Sequence, residues 1–330
     1  MLAFCFAARW PSILEGLWEK IKDKGKREKG LNFQASLSLP TFFLYLFLLS
    51  PRSSPALQYS HGFIRYSSMS SSSKIGVFDS GVGGLSILEK IHRLLPRESL
   101  LYVADSAFAP YGPKGNEFII QRSRHMMEFF MSQQVKAVVV ACNTATAAAV
   151  ALMREEYGLP IIGMEPALKP AASATTTGVI GVLATEGTLA SDKFVDLRSR
   201  FEGDIEIITM PCPGLVEHIE QIVPDAAAIN QLLQKYMSPL LEKNVDTIVL
   251  GCTHYSFLTQ QIKQIAGKDI AIVDTDDAVA RRLYSVLEEA DLLNQEDDSL
   301  EIVFYSSGEP GEQKKVISRC WGKQVEVLFF

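Results

Sequence analysis

The sequence lacks the features that define several large classes of protein. It has five cysteines among 330 residues, an odd number without tight spacing, which excludes a disulfide framework and is typical of a reducing compartment. It has no excess of positive charge, and a formal net charge of −6 gives no reason to expect nucleic acid as a main partner. The apolar stretch Phe42–Leu49 is too short to span a bilayer. We therefore expect neither nucleic acid nor a membrane as a partner.

Acidic residues are also absent from Leu31 to Ser73, within a segment that differs from the rest of the chain. Residues 1–73 contain nine Lys/Arg against four Asp/Glu and many serines. This composition resembles an organelle transit peptide or a signal sequence, although the apolar stretch begins late for a cleavable signal of roughly 15–30 residues. Alternatively, Met69 is the true start, because it directly precedes the first strand. We treat residues 1–73 as an extension, disordered or used for targeting, and leave it out of the fold prediction.

From residue 74 onward, short apolar runs alternate with segments of helical spacing. This alternation predicts an α/β fold with parallel sheets and right-handed crossovers, and the length is enough for two domains. The first strand is Lys74–Phe78, and a second half opens with the similar strand Gly178–Leu183. Prolines at 166 and 170 indicate that the chain crosses between domains near there.

Two segments share one pattern, an apolar strand that ends in a cysteine followed by polar residues. They read VKAVVVACNT, with Cys142, and VDTIVLGCTH, with Cys252. In open α/β sheets, ligands bind outside the carboxyl ends of the strands, where a following helix N-terminus favours anions and lowers a thiol pKa. The repeat indicates an internal duplication. It would let two thiols approach one ligand from opposite sides, which suits moving a proton from one face of a carbon to the other.

Other interpretations of these cysteines are less favoured. A single free cysteine is commonly a small buried hydrophobic residue, but two in duplicated contexts favour chemistry. A metal site formed by Cys142, Cys252 and His254 would lack a clear fourth ligand. His254, two residues after Cys252, can hold or relay the thiol proton.

The turn DSGVGG, residues 79–84, follows the first strand and opens a helix. It is not a dinucleotide fingerprint, because position 86 is serine and Asp79 would place a carboxylate beside a pyrophosphate. Asp79 is instead a proton-handling or amine-pairing carboxylate and Ser80 a hydroxyl donor, with glycines that allow a ligand to approach the backbone. The alternative is a tight turn in which Asp79 is a helix cap.

Uncharged donors follow several of these strands and suit the carboxylates of a small acid, although threonines at helix starts are commonly caps. Tyr111 and Gly112 form either a lip over the pocket or an ordinary turn. The uncharged donors are Asn143, Thr144, Thr185, Thr188 and Thr253.

Taken together, DSGVGG, PYG, ACNTAT, ATEGT and GCTHY, in this order, resemble the glutamate racemases of the cofactor-independent aspartate/glutamate racemase superfamily. The resemblance covers residues 74–330. It implies two pseudo-symmetric, doubly wound α/β domains with mainly parallel sheets and an active site in the cleft between them. We expect residues 74–167 plus 274–330 to form the first domain and residues 168–273 the second.

The resemblance also implies an activity and its residues. The family interconverts L- and D-glutamate without a cofactor or metal, supplies D-glutamate for bacterial peptidoglycan, and forms homodimers; a cytoplasmic location follows, with organelle targeting by residues 1–73 as an option. Cys142 and Cys252 would be the acid/base thiols, assisted by Asp79 and His254, and Glu220 or Glu217 would be the acidic residue near the second thiol. Substrate-binding residues would be Asp79, Ser80, Tyr111, Gly112, Asn143, Thr144, Thr185, Thr188, Thr253 and His254.

Two departures and two alternatives remain. The family usually has proline where this chain has Ser256, and a longer apolar run after the position of Cys212. A racemase for aspartate or another small amino acid on the same fold is one alternative function. A non-catalytic regulator that retains the scaffold is the other.

Overall fold

The computed structural model describes residues 59–60, 63–64, 70–201, 203, 205–296 and 300–330. All of them belong to one compact unit, Leu57–Phe330. The expectations for the N-terminal extension, including a targeting role and the apolar stretch Phe42–Leu49, lie outside the described residues. Within residues 57–73, Tyr59–Ser60 (β1) pairs antiparallel with Phe63–Ile64 (β2).

The first sheet has six parallel strands, and the first of them along the chain carries Asp79. Their order across the sheet is β12-β11-β4-β3-β5-β6. The strands are β3 (Ile75–Asp79), β4 (Leu100–Ala104), β5 (Ala137–Val140), β6 (Ile161–Ile162), β11 (Ile302–Ser306) and β12 (Val327–Phe329).

The second sheet has four parallel strands in the order β10-β9-β7-β8. They are β7 (Val179–Ala184), β8 (Glu206–Pro211), β9 (Thr247–Gly251) and β10 (Ala271–Val273). The order β8-β7-β9-β10 repeats the order β4-β3-β5-β6 of the first sheet. The two halves are therefore pseudo-symmetric, as the duplicated cysteine segments predict, and β5 and β9 occupy equivalent positions.

Both sheets are covered on both faces, which is why their strands are nearly continuous apolar runs. In β3, Ile75 and Val77 belong to one core cluster and Phe78 to another, because successive side chains point to opposite faces. The helices are α1 (Leu85–Leu94), α2 (Asn116–Ser132), α3 (Asn143–Glu156), α4 (Leu168–Ala174), α5 (Glu186–Leu189), α6 (Asp192–Ser199), α7 (Leu215–Ile219), α8 (Ala226–Leu241), α9 (Thr259–Ala266), α10 (Asp276–Glu289) and α11 (Pro310–Trp321).

The predicted fold class is confirmed, and the differences lie in short or weakly patterned elements. The sequence analysis extended the first strand only to Phe78, whereas β3 includes Asp79. Helix α11, between the last two strands, was not predicted at all. Its buried residues are confined to Val316, Ile317 and Ser318, and it begins with Pro310, which is tolerated at a helix start.

In the part of the chain that the structure describes, none of the helices is both long and apolar enough to cross a membrane.

Candidate active site

The two cysteines of the duplicated segments lie at the ends of equivalent strands. Cys142 is two residues after the end of β5, and Cys252 directly follows β9. Cys142 is the N-cap of α3, and its Sγ accepts a hydrogen bond from the Ala145 backbone N–H at 3.4 Å. Cys252 follows β9 and precedes a short 3₁₀ helix, Thr253–Leu258. Both are buried, at 4% and 7% exposure, and both are free thiols.

Asp79 and Ser80 lie beside Cys142, where the strand order of the first sheet reverses between β3 and β5. This reversal is the usual ligand-binding position in open α/β sheets. Asp79 Oδ1 and Oδ2 accept hydrogen bonds of 2.8 Å from the backbone N–H groups of Ser80 and Gly84. Ser80 Oγ lies 3.7 Å from Cys142 Sγ and 3.4 Å from Asp79 Oδ1, so the hydroxyl lies between carboxylate and thiol.

Burial raises the pKa of Asp79, although the charge of His254 and the Gly84 N–H both act to lower it. This carboxyl therefore holds a proton more readily than an exposed aspartate does. Asp79 therefore accepts backbone hydrogen bonds from both ends of the turn at 79–84, and the N-cap of α1 is Gly84 rather than Asp79.

His254 connects the second thiol to two carboxylates. Its Nδ1 lies 3.9 Å from Cys252 Sγ and 3.9 Å from Asp79 Oδ2. Its Nε2 is 2.6 Å from Glu220 Oε1. Burial lowers the pKa of His254, but the contacts with Cys252 and Glu220 and the charge of Asp79 outweigh it and raise that pKa well above its usual value. His254 therefore holds a proton more readily than an exposed histidine does.

Glu220 also joins the two halves of the molecule. It caps the C-terminus of α7, and its Oε1 accepts a 2.7 Å hydrogen bond from the Val82 backbone N–H, 138 residues away in the chain. Of the two acidic residues that the sequence analysis considered, Glu220 is therefore the one that contacts His254.

The glycines of the turn at 79–84 make room for side chains of the second half. A Cβ on Gly81 would be 1.9 Å from Glu220 Oε1, and one on Gly83 would be 2.4 Å from His254 Nδ1 and 2.5 Å from Thr253 Oγ1. Thr253 Oγ1 itself lies 3.4 Å from Asp79 Oδ2. The sequence analysis assigned these glycines to the approach of a ligand; in this structure the approaching atoms belong to Glu220, His254 and Thr253.

The helix N-terminus acts to lower the pKa of the first thiol, as expected, but other effects outweigh it and the pKa is raised. Burial raises the pKa of Cys142, and the charge of Asp79 raises it further. The Ala145 N–H and the Ser80 hydroxyl act in the opposite direction but do not compensate, and Cys252 is near enough to add a small increase. Desolvation of a thiolate exceeds the benefit of one backbone donor.

Hydroxyl groups from both halves meet next to the first thiol. Thr144 Oγ1, on α3, is 2.9 Å from Thr185 Oγ1 and 3.2 Å from Thr188 Oγ1, both at the start of α5. The side-chain amide of Asn143 is buried, and neither its nitrogen nor its oxygen has a hydrogen-bond partner among the described residues. A buried amide without a partner is costly, so Asn143 has donor and acceptor capacity available for a ligand.

Tyr111 is held by two residues that the sequence analysis did not identify, Asp105 and Arg122. The Tyr111 hydroxyl donates to Asp105 Oδ2 at 2.5 Å, and Arg122 donates to both Asp105 oxygens at 2.9 and 2.7 Å. The Tyr111 hydroxyl is thus already engaged. Gly112 packs against Thr185, since a Cβ there would be 3.0 Å from Thr185 Cβ. The position of Asp105 after β4, another strand end, was the available signal.

A cavity of about 240 Å³ lies elsewhere, at the segment 163–165 and the start of α10. It is lined by Arg154, Lys193 and Arg282, among others, and includes neither cysteine. Groups of three or more His, Cys, Asp or Glu that could hold a metal ion do not occur among the residues described here.

The fold has two pseudo-symmetric α/β halves with parallel sheets, and each half carries a buried cysteine at an equivalent strand end. These features are those of the Asp/Glu racemase class. The Asp/Glu/hydantoin racemase family profile matches residues 75–283, and the chain belongs to this family.

Within the family, the similar proteins include glutamate racemases. The one from Pseudomonas entomophila (strain L48) is 51% identical over 260 residues, which cover 78% of this chain and 98% of that protein. A crystal structure of a Bacillus anthracis glutamate racemase isoform has a TM-score of 0.71 and 34% identity, covering 78% of this chain and 97% of that one. A Francisella tularensis glutamate racemase in complex with D-glutamate has a TM-score of 0.69 and 29% identity, covering 79% and 98%.

Proposed function

We propose that this chain is a glutamate racemase that interconverts L- and D-glutamate with Cys142 and Cys252 as the two acid/base groups. The observation that carries the proposal is the pair of thiols at equivalent strand ends of the two halves, each with a proton-handling partner of its own. The glutamate racemase relatives, at 51% identity for the Pseudomonas protein, support glutamate as the substrate.

In the proposed reaction, the thiolate of one cysteine removes the α-proton, and the electron pair of the C–H bond remains on the substrate as a carbanion. The thiol of the other cysteine then donates a proton to the opposite face. The reverse reaction exchanges the two roles. A free thiol with a pKa of about 8.5 is ionised only to a few per cent at pH 7, so the state of each thiol depends on its neighbours.

The two thiols have different neighbours. Burial and the charge of Asp79 favour the protonated thiol at Cys142. Cys252 lies beside His254, whose pKa is raised well above its usual value. Asp79 and Ser80 would assist Cys142, and His254 with Glu220 would assist Cys252.

Substrate binding is proposed for the uncharged donors of both halves. Asn143 has unused hydrogen-bonding capacity, and the hydroxyl cluster of Thr144, Thr185 and Thr188 offers donors to a carboxylate. Ser80, Thr253 and His254 lie around the thiols, and Tyr111 and Gly112 close one side.

We further propose domain boundaries at 167/168 and 273/274. In the described part of the chain, the strands of the first sheet come from residues 75–162 and 302–329, which is consistent with these boundaries. A homodimer and a cytoplasmic location remain predictions from the family resemblance, and sedimentation of the purified protein tests the former. The proposed cellular role is supply of D-glutamate for peptidoglycan.

The test follows loss of optical rotation or circular dichroism with L- or D-glutamate as substrate and no added cofactor or metal. Wild type should racemise both enantiomers, and Cys142→Ala and Cys252→Ala should each fall by more than about 1,000-fold, because each removes an essential proton donor or acceptor. Faster turnover of aspartate than of glutamate would favour the aspartate alternative. Substantial turnover by both cysteine variants would refute the two-thiol mechanism, and an inactive wild type would favour a regulator.

A further inference from the structure

The last helix, α11, contributes a side chain that reaches across to the second half. Arg319 Nη2 donates a 2.6 Å hydrogen bond to the Ile219 carbonyl and a 3.1 Å hydrogen bond to the Gln221 carbonyl. These carbonyls belong to the residues immediately before and after Glu220. Arg319 therefore holds the backbone on both sides of Glu220 without touching its carboxylate.

This backbone needs an external partner. Helix α7 has only five residues, and the last carbonyls of any helix lack partners within it. The segment that follows is open to solvent, with Val223 80% exposed. A guanidinium at a helix C-terminus bonds these free carbonyls and interacts favourably with the helix dipole, so Arg319 limits how far the end of α7 can move.

The position of Glu220 leaves little tolerance. Its Oε1 is held at 2.7 Å from the Val82 N–H and 2.6 Å from His254 Nε2, and only a glycine at 81 leaves room for it. His254 in turn places Nδ1 3.9 Å from Cys252 Sγ. A shift of the α7 end would therefore change the position of His254 relative to Cys252.

Helix α11 is itself well anchored behind the site. It packs against α1, and Val316 and Ile317 are buried in the core cluster that also contains Cys252. Cys320, the residue after Arg319, also packs against this cluster. Burial raises the pKa of Cys320, whereas the charge of the neighbouring Arg319 acts to lower it.

We propose that Arg319 is a positioning residue for the second thiol, acting through the backbone on either side of Glu220 and then through His254. The inference rests on the proposed racemase function. It assigns a role in the reaction to a helix that lies beyond residues 75–283, which the family profile matches.

The test compares Arg319→Ala with wild type and with Lys315→Ala, a control that removes one positive charge from an exposed position of the same helix. We expect kcat of Arg319→Ala to fall about 10- to 100-fold with KM nearly unchanged, since a displacement of about 1 Å can cost roughly 100-fold. The two enantiomers have equal free energies, so kcat/KM must fall by the same factor for L- and for D-glutamate. Lys315→Ala should match wild type, and Arg319→Lys, which keeps a donor, should recover most of the loss.

Isotope effects separate positioning from a general structural role. The primary isotope effects are measured with α-deuterated L- and D-glutamate. If Arg319→Ala slows only the proton transfers of Cys252, proton removal becomes more rate-limiting for the enantiomer that Cys252 deprotonates. For the other enantiomer, removal by Cys142 becomes reversible before the slow donation by Cys252. The primary isotope effects of the two enantiomers should therefore change in opposite directions in Arg319→Ala, and stay as in wild type in Lys315→Ala.

An Arg319→Ala variant with wild-type kcat, or one whose isotope effects for the two enantiomers change in parallel, would overturn the inference while leaving the racemase function intact. A wild type that does not racemise glutamate would overturn both. If Arg319→Ala does not fold, as judged by its circular dichroism, Arg319→Gln carries the same isotope comparison with the same two outcomes.

Discussion

Replacing Gly81 by alanine tests the contact between the two halves most directly. The backbone of Gly81 does not have a positive φ, so alanine introduces no intrinsic backbone strain. The added Cβ would be 1.9 Å from Glu220 Oε1. The backbone cannot easily retreat, because the Gly81 carbonyl accepts a 2.7 Å hydrogen bond from the Tyr102 hydroxyl. The Glu220 carboxylate must therefore move.

The size of the effect follows from that movement. Van der Waals contact needs a separation of about 3 Å or more, so the carboxylate oxygen is displaced by at least about 1 Å. Its 2.6 and 2.7 Å bonds to His254 and the Val82 N–H then lengthen beyond hydrogen-bonding distance. A hydrogen bond to a charged group contributes about 1.5–3 kcal/mol, so we expect kcat/KM to fall roughly 10- to 150-fold.

The assay is racemisation of glutamate followed by circular dichroism, with thermal unfolding of each variant as a check on folding. The matched control is Gly115→Ala, where an added Cβ meets no atom within 4 Å. That variant should have wild-type kinetics. In the background of Glu220→Ala, which has no carboxylate to displace, Gly81→Ala should have little further effect, so the two substitutions should be strongly non-additive.

A folded Gly81→Ala variant with kcat/KM close to that of wild type would refute this reasoning. Full additivity with Glu220→Ala would refute it as well, because it would mean that alanine at 81 acts through something other than the Glu220 carboxylate.

Three further predictions concern stability. Lys136 and Glu98 form an ion pair of 2.5 Å, and both side chains are almost fully buried. Lys136→Met leaves a buried charge unpaired and should lower the free energy of unfolding, measured in urea titrations, by about 3–5 kcal/mol. Adding Glu98→Leu should recover most of this loss, and equal losses in the single and double variants would contradict the prediction. Burial, and then the charge of Asp274, raises the pKa of Asp276 to about 7, so the folded state binds its proton more tightly than the unfolded state, whose pKa is about 4. The contribution of Asp276 to stability should therefore decrease from pH 4 to pH 7. Asp276→Asn should raise the unfolding free energy at pH 8 by at most about 4 kcal/mol but not at pH 4; a benefit equal at both pH values would be inconsistent with titration of this carboxyl. Burial acts to raise the pKa of Asp246, but hydrogen bonds from Thr175, Thr177 and Thr176 outweigh it and lower that pKa. The contribution of Asp246 to stability is therefore complete above the unfolded-state pKa of about 4 and is lost as the pH falls below that value. The stability difference between wild type and Asp246→Asn should accordingly be larger at pH 7 than at pH 3, and a constant difference would exclude this origin.

The local sequence determined the parts of this protein that depend on neighbouring residues. Apolar runs specified the strands, since a buried parallel strand needs side chains that suit both faces of a sheet. The duplicated segments specified equivalent strand ends for Cys142 and Cys252, and the matching orders of the two sheets follow from that duplication. Asp79 could be identified because it begins the glycine-rich turn after the first strand, and His254 because it lies two residues after Cys252.

Only the tertiary structure decided which distant residues meet. The bond from Val82 N–H to Glu220 joins positions 138 residues apart, and Arg319 reaches the end of α7 from about 100 residues away. No periodicity encodes such contacts, because they depend on how the two halves close on each other. The same holds for the pKa of Cys142: the sequence placed it at a helix N-terminus, which lowers a thiol pKa, but its complete burial in the folded protein reverses the direction.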